Sequence, residues 1–152
     1  MTSTLSGPVA SRHRSKRLEA RVGYVIAVVV NAVLLFLINV SPGWQTFSWI
    51  TDSFTQVLVL LNVSIVANLV ANLVYVFYDA RRFKAVVQAI LLTISLAVTI
   101  RILDVFPFDF SAYSFNWAAL VRVLLIIGIV GSGIGIISSI AQALRPPEWR
   151  PE

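Results

Sequence analysis

Four long apolar runs constrain this chain more than any other feature of its sequence. They cover residues 22–40, 54–78, 85–106 and 117–144, and short polar or aromatic segments separate them. A helix of about 20 apolar residues crosses roughly 30 Å of hydrocarbon. Because backbone polar groups in lipid must be satisfied within the protein, each run is expected to be helical. The predicted fold class is all-α, a polytopic membrane protein with a four-transmembrane-helix bundle.

The composition supports this interpretation. Of the 152 residues, 58% are hydrophobic and only 12% are charged, whereas charged residues make up about 25% of a soluble domain. We expect one transmembrane domain at 21–145, with a basic tail at 1–20 and a short tail at 146–152. The first tail has few apolar side chains to bury, so it is predicted to be disordered.

The cations are sorted by side of the predicted membrane. Ten of the twelve flank the runs on the side of the two termini: Arg12, Arg14, Lys16, Arg17, Arg21, Arg81, Arg82, Lys84, Arg145 and Arg150. On the opposite side, the segments outside the runs contain no cation. The positive-inside rule therefore predicts a multi-pass protein of the plasma membrane with both termini in the cytoplasm. Because topology accounts for these charges, nucleic acid is not expected as a partner.

Residues with catalytic or metal-binding chemistry are scarce. The chain has no cysteine, and its single histidine, His13, lies in the basic tail. Disulfides and thiolate metal sites are thereby excluded, and a histidine metal site inside the bundle is not expected. No paired carboxylates lie inside a run, and no set of nucleophile, base and acid is recognisable. The sequence therefore predicts a protein that is not an enzyme, without catalytic residues, cofactor or metal.

Two arginines, Arg101 and Arg122, lie inside the third and fourth runs. Antiparallel neighbouring helices would place them at similar depth near the outer surface, close to Asp104 and Asp109. These four residues form a candidate anion or ion-pair site. Two interpretations stay open: a functional anion, lipid-headgroup or proton-linked site, or arginines that extend to the interface or pair with nearby aspartates.

The second run carries a polar stripe, Ser64, Asn68 and Asn72, spaced by four residues. Such a spacing places the three side chains on one helix face. The stripe is either part of a polar pathway or a source of hydrogen bonds between helices.

The fourth run contains five small residues at helix-packing spacing: Gly128, Gly131, Ser132, Gly135 and Ser139. Small residues repeated every four positions let a second helix approach closely. We therefore predict a glycine zipper, whose partner helix lies either within the same chain or in a second copy.

The segment 79–84, followed by Arg-Ile-Leu-Asp-Val-Phe-Pro-Phe-Asp-Phe at 101–110, resembles small, uncharacterised four-helix membrane proteins of prokaryotes. The resemblance covers the second to fourth runs. It implies a four-helix membrane fold and carries no activity.

Two functions fit these features. The first is a non-enzymatic membrane protein that acts through helix–helix interactions, as a scaffold, an accessory subunit or a homo-oligomer. The alternative is a small oligomeric channel or transporter for an ion or small solute, with Arg101 and Arg122 at its outer mouth. Both predict the lipid bilayer and either copies of the chain or another membrane protein as partners.

The orientation can be tested in this cysteine-free chain with single cysteines and an impermeant thiol reagent. In intact cells we expect Ser48→Cys and Ser111→Cys to be labelled and Ser6→Cys to be protected, because the cations hold the termini inside. Labelling of Ser6→Cys together with protection of Ser48→Cys would show that the chain has the opposite orientation.

Overall fold

A computed structural model describes residues 8–78 and 80–145, and this part of the chain is helical. Its four α-helices are α1 (Pro8–Asn39), α2 (Thr55–Phe77), α3 (Arg81–Val105) and α4 (Trp117–Leu144), and two short 3₁₀ turns, Trp44–Thr46 and Asp52–Phe54, precede α2. The described residues contain no strand, only an isolated bridge between Ile50 and Phe108. All four helices are long and apolar enough to cross a membrane. The prediction of an all-helical chain with four such helices is confirmed.

The helices extend beyond the apolar runs on one side. The bounds of α4 agree with the sequence, but α3 begins at Arg81 rather than at 85, and α1 begins at Pro8 rather than at 22. An apolar run marks the part of a helix that lipid can cover. Arginine, lysine, leucine and glutamate also favour a helix in water, so a helix can continue beyond the run. Residues 8–20 are therefore helical, in contrast to the predicted disorder. The remaining predicted tail residues, 1–7 and 146–152, lie outside the described residues.

Helix packing follows chain order. α1 packs on α2, α2 on α3, and α3 on α4, with the most extensive contact in the last pair. We call the end that carries the α1–α2 and α3–α4 loops the aromatic end. The opposite end carries the start of α1, the α2–α3 connection and the end of α4, and we call it the basic end.

The buried side chains form two clusters, and α2 contributes to both. At the aromatic end, Trp44, Phe54 and Val57 pack together, and Val57 is 0% exposed. At the basic end, Ala71, Tyr75 and Leu91 form the second cluster. α2 therefore contributes to the buried core at both ends of the molecule.

A glycine turn brings Trp44 into the first cluster. Gly43 has a φ of 79°, in the left-handed region that favours glycine. Its N–H donates to the Leu37 carbonyl at 3.0 Å, which turns the chain back over the end of α1. The ring of Trp44 then lies 5.4 Å from that of Phe54.

The small residues of α4 divide between a packed and an open side. A Cβ added at Gly135 would lie 2.9 Å from Leu92 Cδ1, and one at Gly128 would lie 3.7 Å from Thr99 Cγ2. Ser139 is buried and Ser132 is half-buried. These four residues alternate by four and three positions, the spacing of a helix seam.

Gly131 departs from the predicted packing face. A Cβ at Gly131 would have no described atom within 4 Å, and the residue is exposed. Each four-residue step rotates by about 40° on a helix, so Gly131 lies to the side of the seam. The prediction that Gly131 packs with the others therefore does not hold for the contact between α4 and α3.

Two glycines of α4 should respond differently to a large side chain. Gly135→Leu must displace Leu92, and we expect a loss of about 1–3 kcal/mol of unfolding free energy. Gly133→Leu is the matched control, because a Cβ at Gly133 has no described atom within 4 Å and the change should alter stability little. Thermal unfolding in one mild detergent compares them, and equal melting temperatures would show that α4 does not pack along Gly135.

Candidate functional site

The two loops of the aromatic end form one layer. Thr51 N–H donates to the Pro107 carbonyl at 3.1 Å, and Asp109 N–H donates to the Trp49 carbonyl at 2.9 Å. The ring of Trp49 lies 5.9 Å from Phe108 and is stacked 6.0 Å from Phe110. Backbone and rings together hold the loop residues that flank the two arginines.

Arg101 forms an ion pair within its own helix. Its Nη1 lies 2.7 Å from Asp104 Oδ2, and its Nη2 donates to Gln56 Oε1 at 3.4 Å. The side chains of Arg101 and Asp104 are 44% and 66% exposed, so the pair lies on the protein surface. An exposed pair at i, i+3 contributes at most about 1 kcal/mol in water. This geometry corresponds to the pairing interpretation of Arg101.

Arg122 has a different partner. Its guanidinium carbon lies 4.5 Å from the centroid of the Phe106 ring, in cation–π geometry. Phe106 ends α3 in the left-handed conformation, with a φ of 40°, and its N–H donates to the Ile102 carbonyl. The helix end therefore positions the ring that receives the arginine.

Asp109 is held by the loop rather than by an arginine. Ser111 N–H donates to Asp109 Oδ1 at 2.9 Å. Hydrogen bonds from the backbone and side chain of Ser111 lower the pKa of the exposed Asp109 carboxyl below its ordinary value. A lowered pKa means that charged Asp109 stabilises this turn above the ordinary pKa, and that this contribution is lost as the pH falls.

The four predicted charged residues thus make separate contacts rather than one shared site. Arg101 pairs with Asp104, whereas Arg122 and Asp109 are among the residues that line a cavity of about 530 Å³ between the α3–α4 loop and α4. Asn116 also lines this cavity, and its side chain caps α4 by accepting from Ala119 N–H at 3.0 Å.

The polar stripe of α2 directs its amides to its own backbone. Asn68 Nδ2 donates to the Ser64 carbonyl at 2.9 Å, and Asn72 Nδ2 donates to the Asn68 carbonyl at 2.7 Å. Ser64 is buried, and both asparagines are half-buried. Each of the two asparagine amides therefore donates one hydrogen bond within α2.

The amide pair that does join two helices was missed by the sequence analysis. Asn39 Nδ2 donates to Asn62 Oδ1 at 2.9 Å, and Asn62 Nδ2 donates to Asn39 Oδ1 at 2.8 Å. This reciprocal pair connects α1 to α2. Asn62 lies off the stripe, and only the register between the two helices reveals its partner.

The comparisons with known proteins give no relative. No family model matches the chain, and neither curated proteins nor solved structures give a match.

The reciprocal amide pair can be measured with a double-mutant cycle of Asn39→Leu and Asn62→Leu. Hydrogen bonds between membrane helices are worth about 0.6 kcal/mol on average and reach about 1.7 kcal/mol. We expect a coupling energy in this range from unfolding in detergent. Asn68→Leu in place of Asn62→Leu is the control, and equal coupling in both cycles would exclude a specific pair.

Proposed function

We propose that this chain is a multi-pass protein of the plasma membrane that acts through helix–helix interactions, as a scaffold, accessory subunit or homo-oligomer, and not as an enzyme. Both termini face the cytoplasm in this proposal, because the cations gather at the basic end. The observation that carries it is the exposure of the outer helices. In the part of the chain that the structure describes, none of the residues in the most apolar stretches of α1 and α4 is buried.

Lipid chains can cover apolar side chains, so exposure alone supports only the membrane placement. The small residue on the open side of α4 supports a helix partner. Gly131 lies between exposed Ile127 and Ile134, and no described atom fills the space beside it. Glycine costs about 1 kcal/mol relative to alanine in a helix interior. A second helix that packs closely at Gly131 would offset that cost.

The alternative, an oligomeric channel or transporter, has less support from the geometry. The donors of Asn68 and Asn72 return to the backbone of α2, and Arg101 is paired with Asp104. Flux of an ion or small solute through liposomes containing the purified chain would favour this alternative.

Cysteine cross-linking in native membranes tests the interaction proposal. We expect Gly131→Cys and Ile134→Cys to give adducts, either of twice the chain mass or with another membrane protein, because a partner helix faces these positions. Ser139→Cys is the control, since Ser139 is buried. Absence of adducts at both open positions, and along the exposed face of α1, would contradict the proposal.

A further inference from the structure

A polar pocket lies at the basic end, in a protein whose other surfaces are mostly apolar. Its volume is about 360 Å³, and residues from all four helices line it. The polar side chains around it include Tyr24, Tyr75, Arg81, Lys84, Gln88 and Gln142. Such convergence of polar groups from separate helices is typical of a binding site.

Tyr75 gives the strongest evidence that the pocket holds a ligand. Its side chain lines the pocket and is 5% exposed, yet its hydroxyl has no hydrogen-bond partner among the described residues. Buried polar atoms are nearly always hydrogen-bonded, so an unpaired hydroxyl requires an explanation. The centroid of the Tyr75 ring lies 5.4 Å from that of Tyr24 and 6.3 Å from that of Phe83. These ring contacts fix the position of the hydroxyl.

The lining of the pocket also includes two cationic side chains. Arg81 and Lys84 lie in the first turn of α3, and Lys84 Nζ donates to the Tyr24 hydroxyl at 2.8 Å. The start of α3 has no side-chain cap, so its backbone N–H groups add positive potential. Among the described residues that line the pocket, none is acidic.

Neutral donors complete the lining from two further directions. Gln88 lies one turn beyond Lys84 on α3, and Gln142 comes from α4, where Ser139 is buried beside it. Tyr75, Arg81 and Gln88 place potential donors around a shared space, whereas Gln142 Nε2 already donates to Ser138 Oγ at 3.2 Å. Several donors from different directions suit the tetrahedral oxygens of a phosphate group.

We propose that this pocket binds a phosphate group, supplied either by an anionic lipid headgroup or by a free phosphate ion. The Tyr75 hydroxyl donates to a phosphate oxygen, and Arg81 supplies charge at the pocket rim. Basic pockets between membrane helices bind phospholipid headgroups in this way. The phosphate site stands on the pocket geometry, and only the lipid source depends on the membrane placement proposed above.

The test uses the purified full chain and its thermal unfolding. One arm, in neutral detergent, titrates inorganic phosphate against chloride at matched ionic strength. The second arm compares nanodiscs of phosphatidylcholine with and without phosphatidylglycerol. Stabilisation by inorganic phosphate supports a free ion, and stabilisation only by phosphatidylglycerol supports a lipid headgroup. No stabilisation in either arm would overturn the proposal.

Two variants separate a built site from general electrostatic attraction. Arg81→Gln should weaken phosphate or lipid binding about tenfold, the effect of losing one charged hydrogen bond. Arg82→Gln is the matched control, because Arg82 lies one residue away, outside the pocket lining, and donates to the Arg145 carbonyl at 3.1 Å. Equal weakening by the two variants would overturn the proposal.

Tyr75→Phe gives an independent readout. It should weaken binding about tenfold, while the melting temperature without ligand stays equal or rises, since the lost hydroxyl has no hydrogen-bond partner among the described residues. Tyr78→Phe, on an exposed side chain beyond the end of α2, should leave binding unchanged. Unchanged binding in a folded Tyr75→Phe would overturn the assigned role of the hydroxyl, and Arg81→Gln decides if that variant does not fold.

Discussion

The joining of two helical hairpins at the aromatic end is the interaction on which the rest of the arrangement depends. Two backbone hydrogen bonds, from Thr51 to Pro107 and from Asp109 to Trp49, connect the loop of the first hairpin to that of the second. Pro107 is fully buried beneath this contact. Backbone bonds fix a register that apolar contacts alone leave free, because dispersion and burial have no direction. The register of α2 against α3 follows from this pairing.

The basic end is connected differently, through side chains. Lys84 reaches Tyr24 of α1, and Arg82 reaches the carbonyl at the end of α4. Long cationic side chains can reach across the space between neighbouring helices. Lys84 also lines the pocket at this end, together with Arg81. One end of the molecule is therefore joined by backbone pairing, whereas the other contains a polar pocket.

The sequence was sufficient to predict the four helices but not the contacts between them. The apolar run at 117–144 predicts the first and last residues of α4, since apolar side chains suit both lipid and the protein core. The start of α1 at Pro8 was not predictable from hydropathy, because a helix continues beyond the apolar segment. Spacing indicated a small-residue face on α4, but only the position of Leu92 separates Gly135 from Gly131.

The polar residues show the same limit. The four-residue spacing of Ser64, Asn68 and Asn72 indicated one face, yet an asparagine can donate as readily to its own backbone as to a neighbour. The pair Asn39 and Asn62, and the pocket around Tyr75, join residues far apart in sequence. A single sequence carries no signal for such juxtapositions.

Packing in chain order has a consequence for how the molecule is made. Since α1 contacts α2 and α3 contacts α4, each hairpin can form as soon as its second helix leaves the ribosome. Contacts between sequence neighbours close short loops and form early. The first hairpin then waits with its loop exposed until Pro107 and Asp109 are synthesised. Because α2 also packs on α3, each new helix packs on the helix made just before it, and the two loops of the aromatic end can pair only after residues 107–109 are made.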